Sequence, residues 1–93
     1  MSYLNRKTKT DYQQMITQAR RLEDAADICE GAASTLSRKT ADLLRNWQGQ
    51  AAEAMNAKLA DMLNENNAIA RELREKAAWL RRRVREIQEA DGD

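Results

Sequence analysis

Histidine, proline and phenylalanine are missing from this chain, while cysteine occurs once and glycine three times. Each absence excludes something. Without histidine, the commonest general base and the commonest metal ligand near neutral pH are gone, and no catalytic residue is assigned. Carboxylates at Asp24 and Asp27, Asp61 and Glu65, and Glu72 and Glu75 have helical spacing suited to a di-metal bundle, but the Glu-x-x-His ligand set cannot be built. No metal and no cofactor is expected. The lone Cys29 cannot close an internal disulfide, so it leaves the redox compartment unread; its expected role is that of a small buried hydrophobe.

Aromatic residues are 4% of the chain, too few for a β-sandwich or barrel core. Sixteen Lys+Arg stand against fifteen Asp+Glu, and a formal charge of +1 does not by itself imply a nucleic-acid or anionic-membrane partner. Uncharged runs such as Tyr12 to Ala19 reach only about eight residues, against the ~20 that span a bilayer. Met1 to Thr10 carries Arg6, Lys7 and Lys9 with no apolar run behind them, so no secretory signal peptide is expected.

What is present favours long helices: 93 residues, 42% hydrophobic and 33% charged, with nothing to break a helix in long stretches. That length fits one small domain. Tyr12, Met15, Ala19, Leu22, Ala26, Cys29, Ala33, Leu36, Thr40, Leu43 and Trp47 recur at alternating steps of three and four, which is a heptad seam. A second seam runs Ala52, Met55, Leu59, Met62, Asn66, Ile69, Leu73, Ala77, Leu80, Val84 and Ile87, with one change of phase at Leu73 to Ala77. Gly49, the glycine between the seams, is where the backbone is expected to reverse. Thr10, with Gln13 three residues on, fits an amino-terminal cap, Glu53 falls in the first turn of the second helix, and Asp91-Gly92 fits a stop. Gly31 is expected inside a continuous helix, because the seam keeps its phase through it.

The chain is therefore read as one all-α domain over residues 1–93: a first helix over about 10–46, a turn over about 47–49 and a second helix over about 50–90, packed antiparallel. Ile16, Leu44, Leu63 and Ala70 lie beside the seams and widen the apolar stripe beyond what one neighbouring helix covers. A second hairpin covers the remainder, giving a four-helix bundle dimer.

Trp47-Gln48-Gly49 stands at the junction of the two helices. With two long amphipathic helices around a W-x-G turn midway along a chain of this length, the sequence resembles the WXG family of type VII secretion proteins, the ESAT-like proteins. The resemblance extends over nearly the whole chain. It implies a non-catalytic helical hairpin that pairs antiparallel with a related hairpin, or with the helical amino-terminal region of a large LXG-type toxin for which it acts as targeting partner or chaperone. It further implies passage from the bacterial cytoplasm through a machine driven by a membrane-bound ATPase, without a cleaved signal peptide. One family feature is missing. Many exported members carry an aromatic-x-x-x-acidic signal after the second helix, whereas here Trp79 is followed four residues on by Arg83. The partner is then expected to supply the tail, which favours a heterodimer.

The turn residues assigned to function are Trp47 and Gly49. The expected partner interface is Leu22, Leu36, Leu43, Leu59, Met62, Asn66, Ile69, Leu73, Trp79 and Leu80. Trp47, extending the first seam, is expected to pack in the core as well. Trp79 is placed at the stripe's edge beside Leu80, and Asn66 is read as a polar seam position that fixes pairing. Arg81, Arg82, Arg83 and Arg85 form a basic run, half neutralised if Arg82 pairs with Glu86 and Arg85 with Glu89. Two alternatives remain open: a generic coiled-coil adaptor or regulatory subunit, and a small helical nucleic-acid-binding protein using that run. No small-molecule substrate is expected.

Overall fold

The computed structural model describes residues 9–91. Two helices, α1 (Lys9–Leu44) and α2 (Gln50–Asp91), pack against each other as an antiparallel hairpin. The rod measures 70 × 16 × 15 Å. Both helices form because nothing in their interiors competes: there is no proline, and charged side chains dress the outer faces. α1 passes through Gly31 without a break.

The ends differ from the sequence expectation in two places. Lys9 and Thr10 are already helical, so Thr10 is not the cap of α1. At its other end α1 stops at Leu44 rather than near residue 46, because the chain tightens into a turn in which Arg45 N–H donates to Asp42 O at 3.4 Å and Trp47 N–H to Leu44 O at 3.0 Å. Gly92, half of the expected stop after α2, lies outside the described residues. Gly49 has φ +99°, and its carbonyl accepts the first bond of α2 from Glu53 N–H at 3.1 Å. A backbone held in the left-handed region is the one requirement of this turn that only glycine meets without strain.

Gly31 and Gly49 make a matched pair, since a methyl group added at either meets no atom within 4 Å. Only the backbone distinguishes them. Gly31→Ala is expected to stabilise the hairpin by about 0.5–1 kcal/mol, through the better helix propensity of alanine. Gly49→Ala is expected to destabilise it by about 1–2 kcal/mol, the cost of the left-handed conformation. Thermal unfolding of the two variants, followed by helical circular dichroism, checks the opposite signs.

The contact between the helices is built from small side chains: Ala19, Ala26 and Ala33 on α1, and Ala52, Ala70, Ala77 and Val84 on α2 are the buried residues. Alanine lets the two backbones approach closely, and larger residues line both flanks. An ideal straight helix drifts ~20° per heptad against a seven-residue repeat. The drift moves the seam. On α1 the line that starts at Ala19 and Ala26 passes to Ser37 and Leu44 by the end of the helix, while Leu36 and Leu43 swing out. On α2 the line runs back from Ala77 and Ala70 through Leu63 and Leu59 to Ala52, about five turns before Ala70, leaving Met55, Met62 and Ile69 outside. So Ile16, Leu44, Leu63 and Ala70, expected to flank the contact, are part of it. Several seam leucines and methionines are not.

Candidate pairing face and hairpin tip

The two long edges of the hairpin differ in chemistry. Along one edge, charged side chains bridge the helices. Arg81 grips Glu23 with both ends of its guanidinium, Nε to Oε2 at 2.9 Å and Nη2 to Oε1 at 2.7 Å. One turn pair further along, Arg74 Nη2 donates to Asp27 Oδ1 at 2.8 Å and also to Glu30 Oε1. These contacts are partly or largely exposed, so each is a modest contributor to stability, but the bidentate geometry of Arg81 on Glu23 makes that pair directional. Together they close that edge with polar groups.

Their electrostatics are those of favourable pairs. The hydrogen bond from Arg81, opposed by partial burial and aided by the charges of Arg81, Arg20 and Arg74, holds the Glu23 carboxyl below its ordinary value of 4.5. Arg81 and Arg74 are raised in turn, chiefly by their hydrogen bonds to Glu23 and to Asp27 and Glu30. A carboxylate depressed in the folded state adds stability that is complete above its unfolded value and is lost as pH falls through its folded value. The wild-type hairpin is thus expected to lose melting temperature as pH drops below about 4.5, and Arg81→Gln to lose less over the same interval. Melting curves from pH 7 to 3 are the check; parallel curves for the two proteins mean that the Glu23–Arg81 pair does not contribute.

Along the middle of the opposite edge, among the described residues, no ion pair joins the two helices. Leu36, Met62, Asn66 and Ala32 surround a hollow over the middle of the hairpin, and Met15, Leu22 and Leu80, together with Asp11, Gln14 and Gln18, surround a second toward the far end. Exposure here is high for apolar side chains: 41% for Leu36, 72% for Leu43, 51% for Met62 and 50% for Ile69. Across the floor of the first hollow, Asn66 Nδ2 donates to the main-chain carbonyl of Cys29 at 2.6 Å, tying α2 to the middle of α1. Cys29 itself is half-buried. The total accessible surface is 7426 Å², whereas a compact monomer of 10.6 kDa exposes roughly 5,500 Å². The excess, roughly 1,900 Å², follows from the elongated shape of a two-helix rod and is more than the ~800 Å² that one partner buries in a standard protein–protein interface.

The residues assigned from sequence to the partner interface therefore divide. Leu36, Leu43, Met62 and Ile69 present apolar surface on the open edge. Leu22, Leu59, Asn66, Leu73 and Leu80 are half-buried, contributing to the hairpin contact and to the margin of the open face. Trp79 stands apart. Nine residues beyond Ala70, it lies about 180° around α2 from the buried line, 53% exposed, and not at the stripe's edge.

At the hairpin tip, Trp47 is 55% exposed rather than packed in the core, because α1 ends before the heptad can carry it to the contact. Leu43 and Met55 are exposed on either side of the turn, and Gly49 shapes it. From sequence, Arg81 stands only in a basic run and neither it nor Arg74 is paired across the helices, although Glu23 and Glu30 share the seven-residue spacing of Arg74 and Arg81 and would face them in an antiparallel pair. Near the carboxy-terminal end, Glu86 meets Arg83 at 3.5 Å rather than Arg82, and Arg81 is taken by Glu23. The basic run is thus smaller than the sequence implies. Among the described residues no group of three or more His, Cys, Asp or Glu is placed to hold a metal, and no helix is long and apolar enough to cross a membrane.

A hairpin of this length with an exposed Trp47-Gln48-Gly49 tip is the architecture that the sequence resemblance implied, and a family comparison decides the matter. The sequence model of WXG100, proteins of 100 residues with WXG, matches residues 7–92. The chain belongs to the WXG100 family. No curated protein and no solved structure matches it. Membership makes it a small helical protein associated with type VII secretion, in a family of generally non-enzymatic helical proteins that pair with related hairpins. The WXG100 family is also linked to export without a signal peptide.

Proposed function

We propose that this WXG100 protein is a pairing partner in type VII secretion: its open apolar edge docks a second helical hairpin, either a related WXG-like chain or the helical region of an LXG-type toxin, and its tip is offered to the export machine. The observation that supports this is the asymmetry of the edges, one closed by Arg74 and Arg81 and the other leaving Leu36, Leu43, Met62 and Ile69 in water. Helices that bury an apolar stripe in the groove between two others are a recurrent mode of recognition.

The division of labour follows from length. α2 has 42 residues, a span of ~63 Å, so the carboxy-terminal end of the hairpin is far from Trp47. No single hairpin brings its own tail to its own tip. An antiparallel partner does, laying its own tail beside this chain's tip, and Trp79, with Arg83 four residues on, does not open an aromatic-x-x-x-acidic signal. The secretion ATPase is the proposed reader of the combined surface, and the chain acts as targeting partner or chaperone for the hairpin it carries.

Co-expression with the products of adjacent open reading frames, followed by measurement of export, tests the proposal. Trp47→Ala is expected to leave pairing and thermal stability nearly unchanged, the side chain being half-exposed, and to cut export of the pair by tenfold or more (about 1.4 kcal/mol for a tenfold change in an equilibrium). A stable homodimer that ignores every neighbour and is exported alone contradicts it.

A further inference from the structure

Asn66 is the one polar side chain among the residues that surround the central hollow of the open edge, where Leu36, Met62, Ala32, Ala33 and Leu63 supply the rest. A carboxamide offers two N–H donors and one carbonyl acceptor. The bond from Nδ2 to Cys29 O, at 2.6 Å, commits one of the two N–H donors to α1 and fixes which way the amide points, leaving Oδ1 on the other side. Among the described residues nothing donates to Oδ1. In the free hairpin water serves it. When an occupant covers the hollow that water is lost, and an occupant with only apolar side chains leaves a buried acceptor unpaired.

We propose that Asn66 is the residue by which the open edge selects its partner: the occupant is a helix with apolar residues at heptad spacing that also places one N–H or O–H donor against Asn66 Oδ1. This rests on the open edge being the docking surface, and adds to it the chemistry of what docks. A polar position within an apolar helical contact sacrifices some affinity and rejects partners that cannot match it.

Two designed amphipathic helices of three heptads, identical except for glutamine or leucine at the central contact position, are the probes. Each is titrated by calorimetry against the full chain, wild type and Asn66→Leu, with Asn66→Ala as a second variant and circular dichroism confirming the hairpin in each. The wild-type chain is expected to bind the glutamine helix about tenfold or more tightly than the leucine helix, and Asn66→Leu to reverse the order. Leu36→Glu is expected to abolish binding of both. If the preference is the same in wild type and in both Asn66 variants, while Leu36→Glu still abolishes binding, the role of Asn66 is overturned and the docking surface stands. If neither helix binds any form of the chain, both are overturned.

Discussion

Replacing Leu36 and Met62 together by glutamate is expected to abolish pairing with the partner hairpin while leaving the isolated hairpin helical. Both side chains are already about half in water in the single hairpin, so the substitution removes little of its internal contact. The cost falls on the complex. Covering each residue on assembly returns roughly 1 kcal/mol or more at ~25 cal/mol per Å², and a carboxylate in its place must be desolvated instead, which is unfavourable by several kcal/mol more. A loss of at least 100-fold in affinity follows, about 2.7 kcal/mol. Analytical ultracentrifugation of the variant with its partner measures it, and helical circular dichroism of the variant alone verifies the fold. If instead the variant pairs as the wild type does, the open edge is not the interface.

Filling the alanine contact has the second large effect. Ala26 has no exposed surface, and Ala70 on the facing helix is equally enclosed. Ala26→Leu forces three further carbon atoms into a gap sized for methyl groups, which is expected to cost about 1–3 kcal/mol, or roughly 5–20 °C in melting temperature for a chain this short. Spreading α1 from α2 also pulls Asn66 from Cys29 O and Arg74 from its two carboxylates, since those contacts lie on the same stretch of the rod. Leu43→Ala, although it removes a larger side chain, is expected to change stability by no more than about 0.5 kcal/mol, because Leu43 stands 72% exposed. The contrast between a small substitution that unfolds and a large one that does not is the thermal signature of an alanine-lined hairpin.

The helical hairpin and its turn were legible in the sequence because they depend on short-range facts: heptad spacing, the lack of proline, and a glycine between two apolar seams. Which apolar residues face the sister helix was less legible. Leu36 and Ser37 differ by one position, yet the leucine faces out and the serine in, because the seven-residue repeat and the ~3.6-residue turn part company over the length of α1. Hydrophobicity points to the leucine; the drift of the helix picks the serine. Trp47 was misplaced for a related reason, its heptad position having no meaning once the helix ends at Leu44. Arg81 sits in a run of arginines that reads as a single basic patch, and only the antiparallel register shows that Glu23 holds it. Asn66 was marked in the sequence as a polar position in an apolar seam, but its partner is a main-chain carbonyl, which no residue pattern displays.

Light scattering on the purified chain, alone and after co-expression with the product of the neighbouring reading frame, tests most directly whether the open edge is a docking surface. The expected result is a complex of at least two hairpins, its mass therefore well above the 10.6 kDa of one chain, in which Leu36 and Met62 are protected from solvent. A well-folded chain that stays at 10.6 kDa under both conditions, with those two side chains still accessible, contradicts it.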